Sequence, residues 1–230
     1  RGGEVTVVPA TELGLGFRTS VLKEHYGSVR ERSAVILSVT LELEEQGDGA
    51  HPVAGAQLRQ ALGLDVTEAV TLRWIRDRVL EIRASKGMVL DDADPDTYSA
   101  GSFFQNIIVP AAVARALPPE CPRWPVHPDL DRVTVVPLAQ YDGMLPPAPG
   151  VSPDVKISAG WLIEQAGLRK GYRIPRSRAG LSTKHALALT NRGGATAEEL
   201  AELARLIQVR VHSDFGINLQ PEPVLIGIEL

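Results

Sequence analysis

The hydrophobic pattern along the chain changes period several times. Over residues 33–45 it alternates: Val35, Leu37, Val39, Leu41 and Leu43 share one face, and Ser38, Thr40, Glu42 and Glu44 the other. A period of two predicts a strand. Gln46-Gly47-Asp48-Gly49 reads as a turn or loop. From Asp65 the period becomes helical. Asp65 and Glu68 stand at capping-box spacing, and Leu72, Ile75, Val79 and Ile82 recur at steps of three and four. This predicts a helix to about Ser85, with Gly87 as its stop and Lys86 at the mouth of the next loop. A shorter helix is predicted over 111–117, and another from a Ser158 cap through Gln165, ended by Gly167. Residues 187–190 form a short apolar strand candidate. Thr196 and Glu199 make a second capping box, opening a helix that turns Leu200, Leu203, Leu206, Ile207 and Val211 inward. Alternation returns in Val224, Ile226, Ile228 and Leu230, which predicts a terminal strand.

Two stretches are less regular. Residues 118–153 are rich in proline, carry one strand signal at 133–136, and read as an irregular surface insertion. At the start, Gly2-Gly3 is a turn signal and residues 5–8 have β-branched strand propensity. A hairpin turn normally follows another strand, so the expectation is that this is the rear portion of a longer chain. Strands followed by mixed helices and strands place the whole in the α+β class, with a candidate boundary near 60–66 where the helical pattern begins.

Composition narrows the function classes. The 230 residues are 44% apolar and 23% charged, ordinary for a globular protein, and the formal charge of −4 supplies no basic field for nucleic acid. Cys121 is the single cysteine, which excludes an internal disulfide and a thiolate-rich metal site. No apolar run approaches the roughly 20 residues of a membrane span. The expected setting is the cytoplasm, without nucleic-acid or membrane partners. Phosphate-binding glycine loops and a nucleophile elbow are absent, and His25, His51, His127, His185 and His212 show no metal-ligand spacing, so no metal is expected.

Six segments carry more specific information. They are residues 16–23 (GFRTSVLK), 83–87 (RASKG), 101–106 (GSFFQN), 156–164 (KISAGWLIE), 184–196 (KHALALTNRGGAT) and 221–227 (PEPVLIG). In this order the set resembles the UDP-N-acetylenolpyruvoylglucosamine reductase (MurB) family, particularly its actinobacterial members. The resemblance runs from about Glu12 to the C-terminus. It implies the C-terminal part of an FAD-binding domain at 1–62 and an α+β substrate-binding domain at 63–215. Residues 216–230 would be a terminal strand returning to the FAD-binding part. The glycine loops that cradle flavin in the family have no counterpart here, so the isolated chain is expected to hold FAD poorly and turn over little.

The resemblance also implies a chemistry. NADPH reduces FAD, and hydride then passes to the enolpyruvyl double bond of UDP-N-acetylglucosamine enolpyruvate, in peptidoglycan precursor synthesis. Negative charge develops beside the substrate carboxylate and must be stabilised and protonated. Ser102 matches the family's proton donor, Arg18 the arginine that steadies the enolate, and Glu222 a carboxyl acting on the same intermediate. Lys86 and Asn106 match substrate-binding positions, and Lys156 is a further candidate. A monomer is expected. The sequence departs from the family pattern at Phe17, where tyrosine is usual, at Gln105, where lysine or threonine is usual, and at Gly55. Gly55 stands where a tyrosine normally closes over the substrate diphosphate, which should weaken binding of the nucleotide end. A rival reading is a non-catalytic UDP-sugar-binding module that kept this domain; another flavin oxidoreductase of the same architecture is a third.

Overall fold

The computed structural model describes residues 5–15, 20–22, 35–45, 47, 49–126, 154–223 and 225–230. The chain divides into two compact units, Arg1–Asp48 and Gly49–Leu230. In the first, the only regular element among the described residues is a 3-10 turn at Ala10–Glu12. Residues 5–8 and 35–45, both predicted as strands, form none. The alternating side chains Val35, Leu37, Val39, Leu41 and Leu43 are 71–83% exposed. A strand exists only as part of a hydrogen-bonded ladder, and alternation supplies a face but no partner. The strand signal at 133–136 lies outside the described residues.

The second unit opens with a two-residue strand β1 (His51–Pro52), helix α1 (Ala56–Leu62) and strand β2 (Ala69–Val70), which pairs antiparallel with β1. Helix α2 spans Leu72–Ala84. It begins seven residues after the predicted Asp65 start, because Thr71, not Asp65, caps it, its hydroxyl accepting from the Trp74 N–H at 3.2 Å. Glu68 does accept from the Asp65 amide, at 3.3 Å, but closes only a turn there. Strands β3 (Ser99–Ser102) and β4 (Ile107–Pro110), helix α3 (Ala111–Ala116), and strands β5 (Arg123–Pro125) and β6 (Asp154–Ile157) follow. Then come helix α4 (Ala159–Gln165), strands β7 (Ala179–Leu181) and β8 (Ala188–Asn191), and helix α5 (Ala197–Phe215). The strands make two antiparallel three-stranded sheets, ordered β3-β8-β7 and β4-β6-β5. The class is mixed helix and sheet.

Three helices form where their residues predict. Ser158 caps α4 by accepting from the Trp161 N–H at 3.2 Å, and Thr196 with Glu199 closes a reciprocal capping box on α5. α5 buries Leu203, Ala204, Ile207 and Val211 against Leu162 and Ile163 of α4 and Ala179 and Leu181 of β7. Phe104 and Ile157 are fully buried in the same core. The predicted terminal strand is not formed over 225–230, and Val224 lies outside the described residues. Ile226 is exposed, and the tail is held instead by a side chain: Arg205 of α5 donates to the Glu229 carbonyl at 2.7 Å. Among the described residues no helix is long and apolar enough to cross a membrane.

One buried charge ties the loops together. Asp96 is 1% exposed. Its Oδ1 accepts from the Thr183 amide at 3.0 Å and from Arg192 Nη2 at 2.7 Å, while its Oδ2 accepts from the Thr183 hydroxyl. Burial pushes the carboxyl up, but the Thr183 hydrogen bonds and the Arg192 charge outweigh it and hold the pKa below the usual 3.8. Arg192 also donates to the Leu181 carbonyl at 3.1 Å, and nearby Lys184 pairs with Asp94 at 2.8 Å. Asp96 lies hard against Gly87, whose φ is +68°. A Cβ there would stand 2.9 Å from Asp96 Cβ.

Two stability predictions follow from this contact. Gly87→Ala should cost more than about 1 kcal/mol in urea denaturation. Gly63→Ala, at a similar φ of +72° but with open space around it, should cost less. Because the folded-state pKa of Asp96 is depressed, its contribution is present above 3.8 and is lost as pH falls through the folded value. Asp96→Asn should therefore flatten the acid limb of a stability-against-pH profile.

Candidate functional site

The clearest convergence is built on the Gly101-Ser102-Phe103-Phe104 segment. Strand β3 pairs with β8 as Ser99 with Thr190 and Ser102 with Ala188, so β3 carries one residue more than its partner. Gly101 lies within this bulge at a φ of +81°, a conformation that favours glycine. The bulge bends the strand and re-aims Ser102 at the end of the ladder. Ser102 is half-buried, and its hydroxyl makes no hydrogen bond among the described residues.

Phe103 fixes the chain on either side of it. Its N–H donates to the Leu187 carbonyl at 2.8 Å, and its own carbonyl accepts from the Glu222 N–H at 2.8 Å. Gln105 N–H donates to the Gln220 carbonyl at 3.1 Å, and Phe104 forms a bridge with Pro221. The Phe104 ring is fully buried, with Phe103 edge-on to it at 5.1 Å between centroids. Ser102 and Glu222, 120 positions apart in the chain, thus both adjoin Phe103, one by sequence and the other by its N–H bond to the Phe103 carbonyl. Glu222 is exposed, beside the end of β3. Arg18, the third residue of the expected set, lies outside the described residues, as does Phe17.

The expected substrate-binding residues are placed differently from one another. Asn106 follows the Phe pair, and its Oδ1 accepts from the Ala159 N–H at 3.1 Å, bracing the first turn of α4. Lys86 is exposed, two residues beyond the end of α2, and its ammonium has no ion-pair partner among the described residues. Lys156 sits in the middle strand of the other sheet, registered between Ile108 and Trp124. Among the described residues no hydrogen bond or ion pair links Lys156 to the other candidates. Gly55, at a φ of +87°, immediately precedes α1, with open space around its Cα.

His185 was not singled out by the sequence, though it lies inside one of the six segments. It occupies the turn between β7 and β8, half-buried, where its N–H donates to Ser182 Oγ at 3.1 Å. Its Nδ1 accepts from the Leu187 N–H at 3.1 Å. Burial first, and then the charges of Lys86 and Lys170, hold the imidazole below its usual 6.5. Lys86 and Lys170, from two separate loops, therefore surround the neutral His185 ring with positive charge. Among the described residues no group of His, Cys, Asp and Glu side chains could hold a metal ion. A depression lined by Gln208, His212 and Gln220 and another lined by Arg73, Arg76 and Asp77 have neither glycine nor Phe, Tyr or Trp in their linings, and neither fits a flavin.

The comparisons with known proteins agree with one another. Residues 94–226 match the sequence model described as UDP-N-acetylenolpyruvoylglucosamine reductase, C-terminal domain. The chain is 48% identical over 99% of its length to the UDP-N-acetylenolpyruvoylglucosamine reductase of Leifsonia xyli subsp. xyli, covering 61% of that protein. It is 45% identical to the reductase of the same name from Mycobacterium marinum and 44% to that of Mycobacterium tuberculosis, covering 56% and 57% of them, again over 99% of its own length. The chain thus spans less than two thirds of the length of the curated relatives it matches. With the motif segments in order and the match centred on the Ser102–Glu222 convergence, the chain belongs to the UDP-N-acetylenolpyruvoylglucosamine reductase family.

Proposed function

We propose that this chain supplies the substrate-binding and proton-donating half of a UDP-N-acetylenolpyruvoylglucosamine reductase, acting in peptidoglycan precursor synthesis with FAD and NADPH. The domain limits proposed above, 1–62, 63–215 and 216–230, belong to this reading. The observation that supports it is the backbone bond from the Glu222 N–H to the carbonyl of Phe103, the residue that follows Ser102.

Reduction of an enolpyruvyl double bond leaves a carbanion next to a carboxylate. Ser102 is suited to quench it. A hydroxyl is a weak acid, so it gives up a proton only to a strong base held against it, and this hydroxyl is half-buried and has no competing hydrogen bond among the described residues. Glu222 stands across the Phe103 peptide as the second group acting on the intermediate. The family resemblance alone assigns Arg18 the role of a permanent positive charge for the carboxylate. Lys86, in its cationic neighbourhood, binds the diphosphate, and the Asn106 side chain, its oxygen engaged by α4, presents its amide N–H groups to the same ligand. Lys156 is kept as a further substrate contact.

The tests separate proton donation from binding. With the chain joined to the N-terminal portion of the Leifsonia relative, Ser102→Ala should lower kcat by about 10²–10⁴-fold and move KM little. Lys86→Ala should do the reverse, raising KM about tenfold or more with kcat retained; both are read from NADPH oxidation in the presence of FAD. An unchanged kcat in Ser102→Ala removes the proton-donor assignment. Calorimetry of the chain alone with a UDP-sugar, with and without FAD, separates the enzyme from a binding module: tight binding without FAD favours the module.

A further inference from the structure

We propose that His185 is a positioning residue: its neutral imidazole accepts from the Leu187 N–H, and the carbonyl of the same residue, Leu187, accepts from the Phe103 N–H beside Ser102. The inference rests on the reading of Ser102 as the proton donor, but its geometry is independent of substrate.

The clamp has two bonds in series. Leu187 N–H donates to His185 Nδ1 at 3.1 Å, and the Leu187 carbonyl accepts from Phe103 N–H at 2.8 Å. The first requires Nδ1 to carry a lone pair, so the bound tautomer has its proton on Nε2. Protonating the ring places an N–H at Nδ1 facing the Leu187 N–H, two donors with no acceptor between them. The bond is then lost: the peptide unit that carries the Leu187 N–H is released, while the next unit, which carries the Leu187 carbonyl, keeps only the Ala188 N–H bond to the His185 carbonyl at 3.1 Å on this side among the described residues. Among the described residues the Leu187 carbonyl makes the one hydrogen bond from the β7–β8 turn to Phe103, and Ser102 precedes Phe103 directly.

The surroundings keep the ring neutral. Lys86 approaches from the end of α2 and Lys170 from the loop after α4, and both charges oppose a third cation at His185. Lys184, on the turn itself, is paired with Asp94 at 2.8 Å, and Lys170 has Glu164 at 3.9 Å. Asp96, the other nearby carboxylate, is taken up by Thr183 and Arg192. None of these carboxylates is left to stabilise an imidazolium. The turn is otherwise rigid: Ser182 N–H donates to the Ala188 carbonyl at 2.9 Å, and Ala188 N–H to the His185 carbonyl at 3.1 Å.

Amide hydrogen exchange by NMR on the full chain tests the clamp, with Leu168 N–H, bonded to the Ile163 carbonyl at 3.2 Å, as a reference. After correction for intrinsic rates, protection of Leu187 and Phe103 should fall about tenfold or more as pH is lowered through the His185 titration, while Leu168 is unmoved. In His185→Asn the side-chain oxygen can accept from the amide two residues on, as in an Asx-turn. Protection should then stay high at every pH. In His185→Ala it should be low at every pH. The proposal is overturned if Phe103 protection is unchanged while the ring shifts report protonation, or if His185→Asn behaves as His185→Ala does. Because no substrate is involved, these outcomes stand apart from those of the Ser102→Ala kinetics.

Discussion

The backbone of Phe103 is the crossing point on which the candidate site depends. Its N–H is committed to the turn before β8, and its carbonyl to the segment that follows α5. A backbone group can satisfy only partners that the whole fold delivers, so this pair of bonds exists only when both sheets, α5 and the tail to Glu222 are in place. The buried Phe104 ring anchors the same point from the core side, surrounded by the residues that fix α4 and α5. Ser102 inherits its position from these constraints. Gly101 contributes the bulge that lets the strand turn out of the ladder at the required residue.

A second layer surrounds that point. Asp96, buried and charged, collects Thr183 and Arg192 from the two ends of the β7–β8 hairpin and presses against Gly87. A buried carboxylate is tolerated only with its hydrogen bonds satisfied and a cation beside it. Meeting those demands draws the Lys86 loop and the β7–β8 turn together. The cost is visible at Arg192, whose Nε is buried without a hydrogen-bond partner among the described residues. The cations Lys86 and Lys170 consequently lie near His185, which suits an anionic ligand and disfavours a charged imidazole. Positive charge and the placement of Ser102 are thereby linked through one short turn of chain.

Much of the architecture was legible in the residues. Capping signals at Ser158 and Thr196 located α4 and α5 because a side-chain oxygen three residues before an amide is a local matter. The same logic misplaced the start of α2, since two capping-type signals, Asp65 and Thr71, compete within seven residues and only packing selects between them. Strands fared worse. The two most regular alternating segments, 33–45 and the C-terminal one, form no ladder among the described residues, whereas β3, β4, β6 and β7, with weaker patterns, do. Strand formation is a property of a pair, and the partner is not encoded beside it.

The same division holds for the site. The sequence alone determined the family and the identities of Ser102, Glu222, Lys86 and Asn106 as candidates, because ordered motif segments survive as strings of residues. It carried no sign that Asp96 is buried, that His185 serves as an acceptor, or that Lys156 lies in a separate sheet. Those facts were decided by tertiary structure. Burial, tautomer and the meeting of residues 120 apart arise only when distant backbone groups find one another and exclude water.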